Sequence, residues 1–263
     1  MNKDSGKIRF GLWYDFRNPP EWRQHRIAFY SEILDQIAWG ESHGLDDVWL
    51  SEHHFIEDGY LPSILPVAAA IAARTKRIRI ASGVLLMPFH NPVRLAEDIA
   101  VVDVISSGRF ELGVGVGFKL EEFDSFGVSF RKRGPRTNQS LDIIRRLLSG
   151  ETVTYKSDVF NFEHQSYSGT DSETASTHLA GRLHLGCPAP RRPLRRWFHC
   201  ARRDPRRIRQ LCGRVEEAES AHRKGVASAV WCLIVSNDPE KTFAEAADHF
   251  FAICNLGRGP VSD

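Results

Sequence analysis

Runs of consecutive apolar residues alternate with amphipathic stretches along the first 150 residues of the chain. The apolar runs predict buried strands at 8–14, 47–51, 77–86 and 110–116. Apolar residues at helical spacing predict helices at 25–43, 63–74, 92–106 and 136–149. Four strand–helix alternations of this kind indicate a parallel sheet covered on both faces. Two α/β architectures fit, a (β/α)8 barrel of the TIM type and an open doubly wound sheet, and in both the functional groups follow the carboxyl ends of the strands.

The remainder of the chain has a less regular pattern, and we expect residues 1–263 to form one domain. Residues 152–163 predict a small hairpin. Residues 164–225 show neither a strand period nor a sustained helix face, and they contain four Arg-Arg pairs. A strand is predicted at 226–235, and Asp238-Pro239 predicts the start of a helix that ends near residue 255.

Composition excludes several classes of protein. Hydrophobic residues make up 42% of the chain and charged residues 26%, which is typical of a soluble globular protein. No apolar run reaches the ~20 residues of a membrane span and the first residues are polar, so we expect a cytoplasmic protein. The five cysteines all follow residue 186 and form no C-x-x-C pair. Neither a metal site nor a disulfide framework is therefore predicted.

The net charge of +2 conceals a strongly basic segment. Residues 182–214 contain 11 arginines and a single acidic residue, whereas residues 1–163 contain 20 Lys and Arg against 22 Asp and Glu. Such a segment is compatible with a nucleic-acid-binding arm, a solvated linker or a stretch of non-native coding sequence. Nucleic-acid binding is the least favoured of the three, because Trp197 and Phe198 are the only aromatic residues in the segment.

Glu52, His53 and His54 directly follow the second predicted strand. A carboxylate and two imidazoles at the carboxyl end of a parallel strand are suited to acid–base chemistry, since histidine exchanges a proton near neutral pH. A polar loop with hydrogen-bonded histidines gives the same pattern. The position at a strand end makes the catalytic and the structural interpretation about equally favoured.

Glycines mark the ends of the third and fourth strands. Gly113, Gly115 and Gly117 alternate at the end of the fourth strand, but they do not form the G-x-G-x-x-G pattern of a dinucleotide-binding loop. Alternating glycines leave one face of a strand bare, which either admits a flat ligand or allows close packing inside a barrel. Gly83 interrupts the third strand and predicts a bulge or a close backbone approach.

Four stretches, taken together, resemble the bacterial luciferase-like flavin-dependent monooxygenases. They are Phe-Gly at 10–11, Trp-Leu-Ser-Glu-His-His-Phe at 49–55, Asn-Pro-Val-Arg-Leu-Ala-Glu-Asp at 91–98 and Ser-Gly-Arg-Phe-Glu-Leu-Gly-Val-Gly at 107–115. The resemblance covers about residues 7–163 and returns at 229–256. It implies a (β/α)8 barrel that uses reduced FMN and O2 to oxidise an aldehyde, an alkane or a similar small organic substrate. It also implies a flavin reductase as partner and a homo- or heterodimer, with deazaflavin F420 as the alternative cofactor of a sister branch.

The resemblance also implies roles for individual residues. His53 corresponds to a catalytic histidine, flanked by Glu52 and His54. Cofactor contacts are implied for Trp13, for Gly83 and Val84 at a cis peptide bond, and for Gly115 and Gly117 at the end of the fourth strand.

Two departures from the family pattern bear on activity. Val116 stands where luciferases have an arginine for the flavin phosphate, and residues 164–225 replace the family's next strand and phosphate-binding turn. We hypothesise that residues 165–225 are a frame-shifted reading of the gene, and we expect an incomplete barrel. The alternatives are therefore an F420-dependent oxidoreductase of the same fold and a non-catalytic remnant of the family. Retention of Glu52, His53 and His54 favours an active enzyme.

Overall fold

The computed structural model describes residues 10–166 and 184–185. These residues form parallel strands joined by helices, together with one antiparallel hairpin at 153–165, close to the hairpin predicted at 152–163. The strands are β1 (Gly11–Tyr14), β2 (Asp47–Leu50), β3 (Arg79–Ser82), β4 (Leu85–Leu86), β5 (Phe110–Glu111), β6 (Gly113–Gly115), β7 (Val153–Lys156), β8 (Asn161–Gln165) and β9 (His184–Leu185). The α-helices are α1 (Arg26–Ser42), α2 (Ile64–Arg74), α3 (Pro92–Ile105), α4 (Leu120–Ser125) and α5 (Arg133–Leu148). The predicted strand at 226–235 and the helix after it lie outside the described residues.

The order of the strands favours a barrel over a doubly wound sheet. One parallel sheet has the order β1-β2-β3-β5, and a second has the order β4-β6-β9. Each new strand is added on the same side of the preceding one, whereas a doubly wound sheet reverses direction at a switch point. β4 continues the path of β3, and β6 that of β5, so the described parallel strands occupy five neighbouring positions of a barrel, and β7 and β8 form a separate antiparallel pair.

Two predicted strands are each divided in two. The strand predicted at 77–86 breaks at Gly83 and Val84, which are joined by the cis peptide bond that the resemblance implied. The strand predicted at 110–116 breaks at Leu112, between β5 and β6. The break at Gly83 lies where the sequence predicted a bulge or a close backbone approach, whereas the break at Leu112 was not predicted.

The core lies between the strands and the helices. Val48, Leu50, Ile80 and Phe110 are fully buried together with side chains from the helices. Successive residues of a strand point to opposite faces, so the inner face of the barrel carries the alternate positions. There Arg79 forms ion pairs with Glu111 and Asp47, which stabilise the charges inside the barrel.

The amino-terminal ends of the strands are joined by Arg109 and Glu41. The Arg109 guanidinium donates to the carbonyls of Ala72, Thr75, Ile78 and Ser106 and to the Thr75 hydroxyl at 2.7–3.0 Å. The Glu41 carboxylate accepts the backbone N–H groups of residues 76–78 at 2.7–3.1 Å. Arg109 therefore stabilises the fold at the end of the barrel opposite the carboxyl ends of the strands.

Three elements differ from the sequence prediction. α4 was not predicted, because six residues are too few to show a helical period. α5 begins at Arg133 and has Gly134-Pro135 in its first turn, where proline is tolerated. β9 lies within the segment in which no strand was predicted, and it pairs in parallel with β6 over two residues only. Among the described residues, no helix combines the length and the apolar character needed to cross a bilayer.

Candidate active site

The carboxyl end of β2 brings Ser51, Glu52, His53 and His54 to the rim of the barrel. The neighbouring strand is held against it at this level, because the Gly83 N–H donates to the Leu50 carbonyl at 2.6 Å. All four residues are anchored by side chains outside this stretch, from Tyr60, His90 and Glu122. The Tyr60 hydroxyl donates to the Ser51 hydroxyl at 2.8 Å, and burial raises the pKa of Tyr60, so this donor stays protonated.

Glu52 is a fully buried carboxylate with three hydrogen-bond donors. Its Oε1 accepts from Nε2 of His54 at 3.0 Å and from Nε2 of His90 at 3.1 Å, and its Oε2 accepts the Leu86 N–H at 2.5 Å. Burial by itself raises the pKa of Glu52, but the bonds from His54, His90 and the Leu86 N–H outweigh it and lower the pKa to about 2. Since its side chain is 0% exposed, Glu52 orients its neighbours and does not itself reach a ligand.

His53 is paired with a different carboxylate. Its Nδ1 lies 2.9 Å from Oε1 of Glu122, which also accepts the backbone N–H of His54 at 2.9 Å. An oxygen that accepts a backbone N–H is an acceptor for the imidazole as well, so Nδ1 carries the proton and Nε2 is left as the basic nitrogen. Glu122 Oε2 is buried and has no hydrogen-bond partner among the described residues. The Glu122 side chain is 1% exposed, so Glu122 holds His53 in place and, like Glu52, does not itself reach a ligand.

Aromatic side chains surround the two histidines. The His53 ring makes edge contacts with Tyr60 at 5.0 Å and Phe118 at 5.4 Å. The His54 ring makes an edge contact with Phe126 at 4.8 Å, and Phe126 stacks on Phe89 at the same distance. Phe118 is 51% exposed and Phe126 is 41% exposed. The rim of the barrel beside the histidines is therefore apolar and accessible.

Trp13 of β1 lies close to Gly83 and Val84, which follow β3, across the intervening strand β2. The Trp13 indole N–H donates to the Gly83 carbonyl at 3.3 Å, and Trp13 is paired in register with Trp49 of β2. Gly83 and Val84 are half-buried although residues on both sides of them are buried. Gly83 therefore exposes part of its backbone, and Val84 exposes part of its apolar side chain.

Close packing accounts for the glycines at the strand ends. A Cβ atom at Gly83 would lie 2.9 Å from Trp49 Cε3, one at Gly115 would lie 2.6 Å from Val84 Cγ2, and one at Gly113 would lie 2.3 Å from the Ser82 carbonyl. Of the two interpretations of the alternating glycines, the structure supports packing inside a barrel rather than an open face. Gly117 has a positive φ of 72° and packs against Phe123, so it shapes the loop that leads to Phe118.

The sequence pattern did not reveal two residues of this site. Glu122 belongs to a helix too short to be predicted, and His90 follows a short 3-10 helix at Met87–Phe89. No local sequence signal marks either residue, because neither belongs to a periodic pattern. Among the described residues, no group of three His, Cys, Asp or Glu side chains is arranged to hold a metal ion.

Comparisons with known proteins agree with this architecture. 4-Hydroxyprotoasukamycin monooxygenase of Streptomyces nodosus subsp. asukaensis is 37% identical over 128 residues, 48% of this chain and 34% of that protein. The F420-dependent glucose-6-phosphate dehydrogenase of Amycolatopsis mediterranei (strain U-32) is 35% identical over 136 residues, 49% of this chain and 41% of that protein. The aligned region thus covers less than half of either relative.

A solved structure extends the comparison to the fold. The oxygenating constituent of 3,6-diketocamphane monooxygenase from Pseudomonas putida, a type II Baeyer–Villiger monooxygenase in complex with FMN, superposes with a TM-score of 0.73 at 16% identity. The superposition covers 95% of this chain and 74% of that one. The model of the luciferase-like monooxygenase family matches residues 8–183, more than half of the sequence. The chain therefore belongs to the luciferase-like monooxygenase family, and its described residues form part of a (β/α)8 barrel.

Proposed function

We propose that this protein is a flavin-dependent monooxygenase that uses reduced FMN and O2 to oxidise a small organic substrate. The observation that carries the proposal is the His53–Glu122 pair at the carboxyl end of β2. In this pair a carboxylate holds an imidazole by Nδ1, which leaves Nε2 as a base at the end of the barrel where such enzymes act.

The residues at the strand ends fit a flat, largely apolar ring system. Trp13 of β1 and Val84, which follows β3, provide half-buried apolar surface. A reduced flavin bound here would supply two electrons, so that one oxygen atom of O2 enters the substrate and the other leaves as water.

The protein's own contribution is to position groups, exclude water and move a proton. His53 Nε2 accepts a proton from the reacting system, and the Glu122 carboxylate stabilises the imidazolium that results. Glu52 holds His54 and the Leu86 backbone in place. The aromatic residues beside the histidines, Phe118 and Phe126, keep water from the reacting atoms and favour an apolar substrate.

Two relatives support the choice of cofactor in different ways. The Pseudomonas putida enzyme is in complex with FMN, which favours FMN. The Amycolatopsis relative is an F420-dependent dehydrogenase, so an F420-dependent oxidation without oxygen insertion is the second candidate function. We further propose that a separate reductase supplies the reduced flavin and that the protein works as a homo- or heterodimer.

Ligand binding tests the proposal and separates the two candidates. The full-length protein is titrated anaerobically with reduced FMN and with reduced F420, and binding is followed by quenching of tryptophan fluorescence. We expect tighter binding of FMN, followed by O2-dependent reoxidation that an added apolar aldehyde or alkane couples to product. The His53→Ala variant should retain its fold and lose turnover. Binding of F420 alone would favour the dehydrogenase, and binding of neither cofactor by folded protein would overturn both candidates.

A further inference from the structure

His90 lies outside the strand-end motif, yet it is joined to that motif through one atom. Oε1 of Glu52 receives Nε2 of both His54 and His90, at 3.0 and 3.1 Å. The other oxygen of the carboxylate is occupied by the Leu86 N–H. Each of the three contacts comes from a donor, so both oxygens of the buried carboxylate accept hydrogen bonds.

We propose that His90 is a positioning residue: with Glu52 it fixes His54 as the Nε2–H tautomer, so that Nδ1 is the ring nitrogen of His54 that can accept a proton. The functional part of this proposal rests on the proposed oxidoreductase activity, whereas the tautomer does not. An ionised carboxylate only accepts hydrogen bonds, so the nitrogen facing it must carry the proton. Two donors on one oxygen also require that oxygen to remain unprotonated.

The two adjacent histidines are thereby held as different tautomers. His53 is bound through Nδ1 to Glu122 and offers Nε2, whereas His54 is bound through Nε2 to Glu52 and offers Nδ1. The two carboxylates come from different elements, Glu52 from the end of β2 and Glu122 from α4. Neighbouring imidazoles with different basic nitrogens can therefore serve separate proton transfers without exchanging roles.

Burial indicates why His90 is needed for this arrangement. The Glu52 side chain is 0% exposed and that of His54 is 12% exposed, whereas that of His90 is 30% exposed. Loss of His90 would open the buried carboxylate to water from the side of the segment before α3. Water on Oε1 would compete with His54 for the same acceptor, and the single tautomer of His54 would no longer be enforced.

The test uses ring-nitrogen NMR of the flavin-free, full-length protein labelled with ¹⁵N-histidine. A His54→Asn variant identifies the signals of His54. We expect the Nε2–H tautomer in the unmodified protein, and a mixture of tautomers in His90→Ala. His90→Gln keeps an N–H donor at the same reach and should restore the single tautomer. His43→Ala, at an exposed position at the end of α1, is the matched control and should leave the His54 signals unchanged.

Steady-state kinetics gives the functional readout. We expect kcat of His90→Ala to fall roughly tenfold with little change in KM, the size expected for one hydrogen bond to a charged group, and His90→Gln to recover most of it. An Nδ1–H tautomer of His54 in the unmodified protein overturns the proposal, even if the variants fail to fold. An unchanged tautomer and kcat in His90→Ala overturns it as well. Failure to bind FMN or F420 refutes the proposed function alone, because the tautomer is measured without cofactor.

Discussion

His53 and Glu122 are 69 positions apart in the sequence, and their side chains meet at 2.9 Å between Nδ1 and Oε1. The same oxygen accepts the backbone N–H of His54, so Glu122 fixes both the ring and the backbone at the end of β2. The site thus depends on a carboxylate from α4 that replaces water as the partner of the histidine. The effect of Glu122 on the site can therefore be measured separately from the effect of other negative charges on α4.

Replacement of Glu122 by Gln should impair turnover more than folding. The amide still accepts one hydrogen bond but no longer stabilises a positive imidazole, so we expect kcat to fall between about tenfold and a hundredfold. Glu121→Gln is the matched control, because Glu121 is the exposed neighbour on the same helix turn. Stopped-flow turnover and circular dichroism of both variants check this prediction. Equal turnover in the two variants would remove Glu122 from the mechanism.

Glu52 should make the fold sensitive to acid. Its pKa is lowered from 4.5 to about 2 in the folded protein, so it contributes stability above pH 4.5 that is lost as the pH falls toward 2. This pKa difference contributes on the order of 3 kcal/mol to the free energy of unfolding at neutral pH. Denaturant titrations of the native protein and of Glu52→Gln, between pH 7 and pH 3, should therefore converge at low pH. Parallel curves across that range would contradict the assigned role.

Gly115→Ala tests the packing of the strand ends. Its Cβ would lie 2.6 Å from Val84 Cγ2, so either Val84 or β6 must shift, at a cost of about 1–3 kcal/mol. Because Val84 belongs to the proposed cofactor surface, FMN affinity should fall together with stability. Gly134→Ala, where a Cβ would meet nothing within 4 Å, should change stability by less than about 0.5 kcal/mol. Thermal melts and FMN titrations distinguish the two variants, and equal effects would show that crowding at Gly115 is not limiting.

Much of the fold could be predicted from the sequence, whereas the partners within the site could not. The alternation of apolar strands and helices predicted a parallel α/β fold, and only the family resemblance selected the barrel over a doubly wound sheet. The position of His53 after β2 placed it at the reactive end. Periodicity identifies elements of several residues, so it could not detect α4 or the two-residue β9. Glu122 and His90 become partners of the motif only when the chain folds, and nothing in the local pattern of either residue shows which carboxylate or histidine it will meet.

The frame-shift hypothesis for residues 165–225 can be decided from the coding DNA. If it is correct, another reading frame across this stretch should encode an apolar strand followed by a Gly-rich turn, without the Arg-Arg pairs. The restored protein should bind FMN more tightly than the present chain, because the family resemblance places phosphate contacts in that stretch. Alternative frames that lack both features would refute the hypothesis, and the basic segment would then be native sequence.

Arg109→Lys should separate stability from binding. Arg109 donates five hydrogen bonds at the amino-terminal end of the strands, at the opposite end of the barrel from His53. An ammonium group has three donors and no planar fork, so at least two of these contacts are lost, with a decrease in the free energy of unfolding of about 2–4 kcal/mol. Arg94→Lys is the control, because Arg94 is 73% exposed and its ion pairs lie on the surface of α3. Denaturant midpoints should fall for Arg109→Lys alone, while FMN affinity measured well below the midpoint stays that of the native protein. A loss of FMN affinity without a loss of stability would place Arg109 in the site itself, and the stretch at 107–115 would then act directly on the cofactor rather than through the fold.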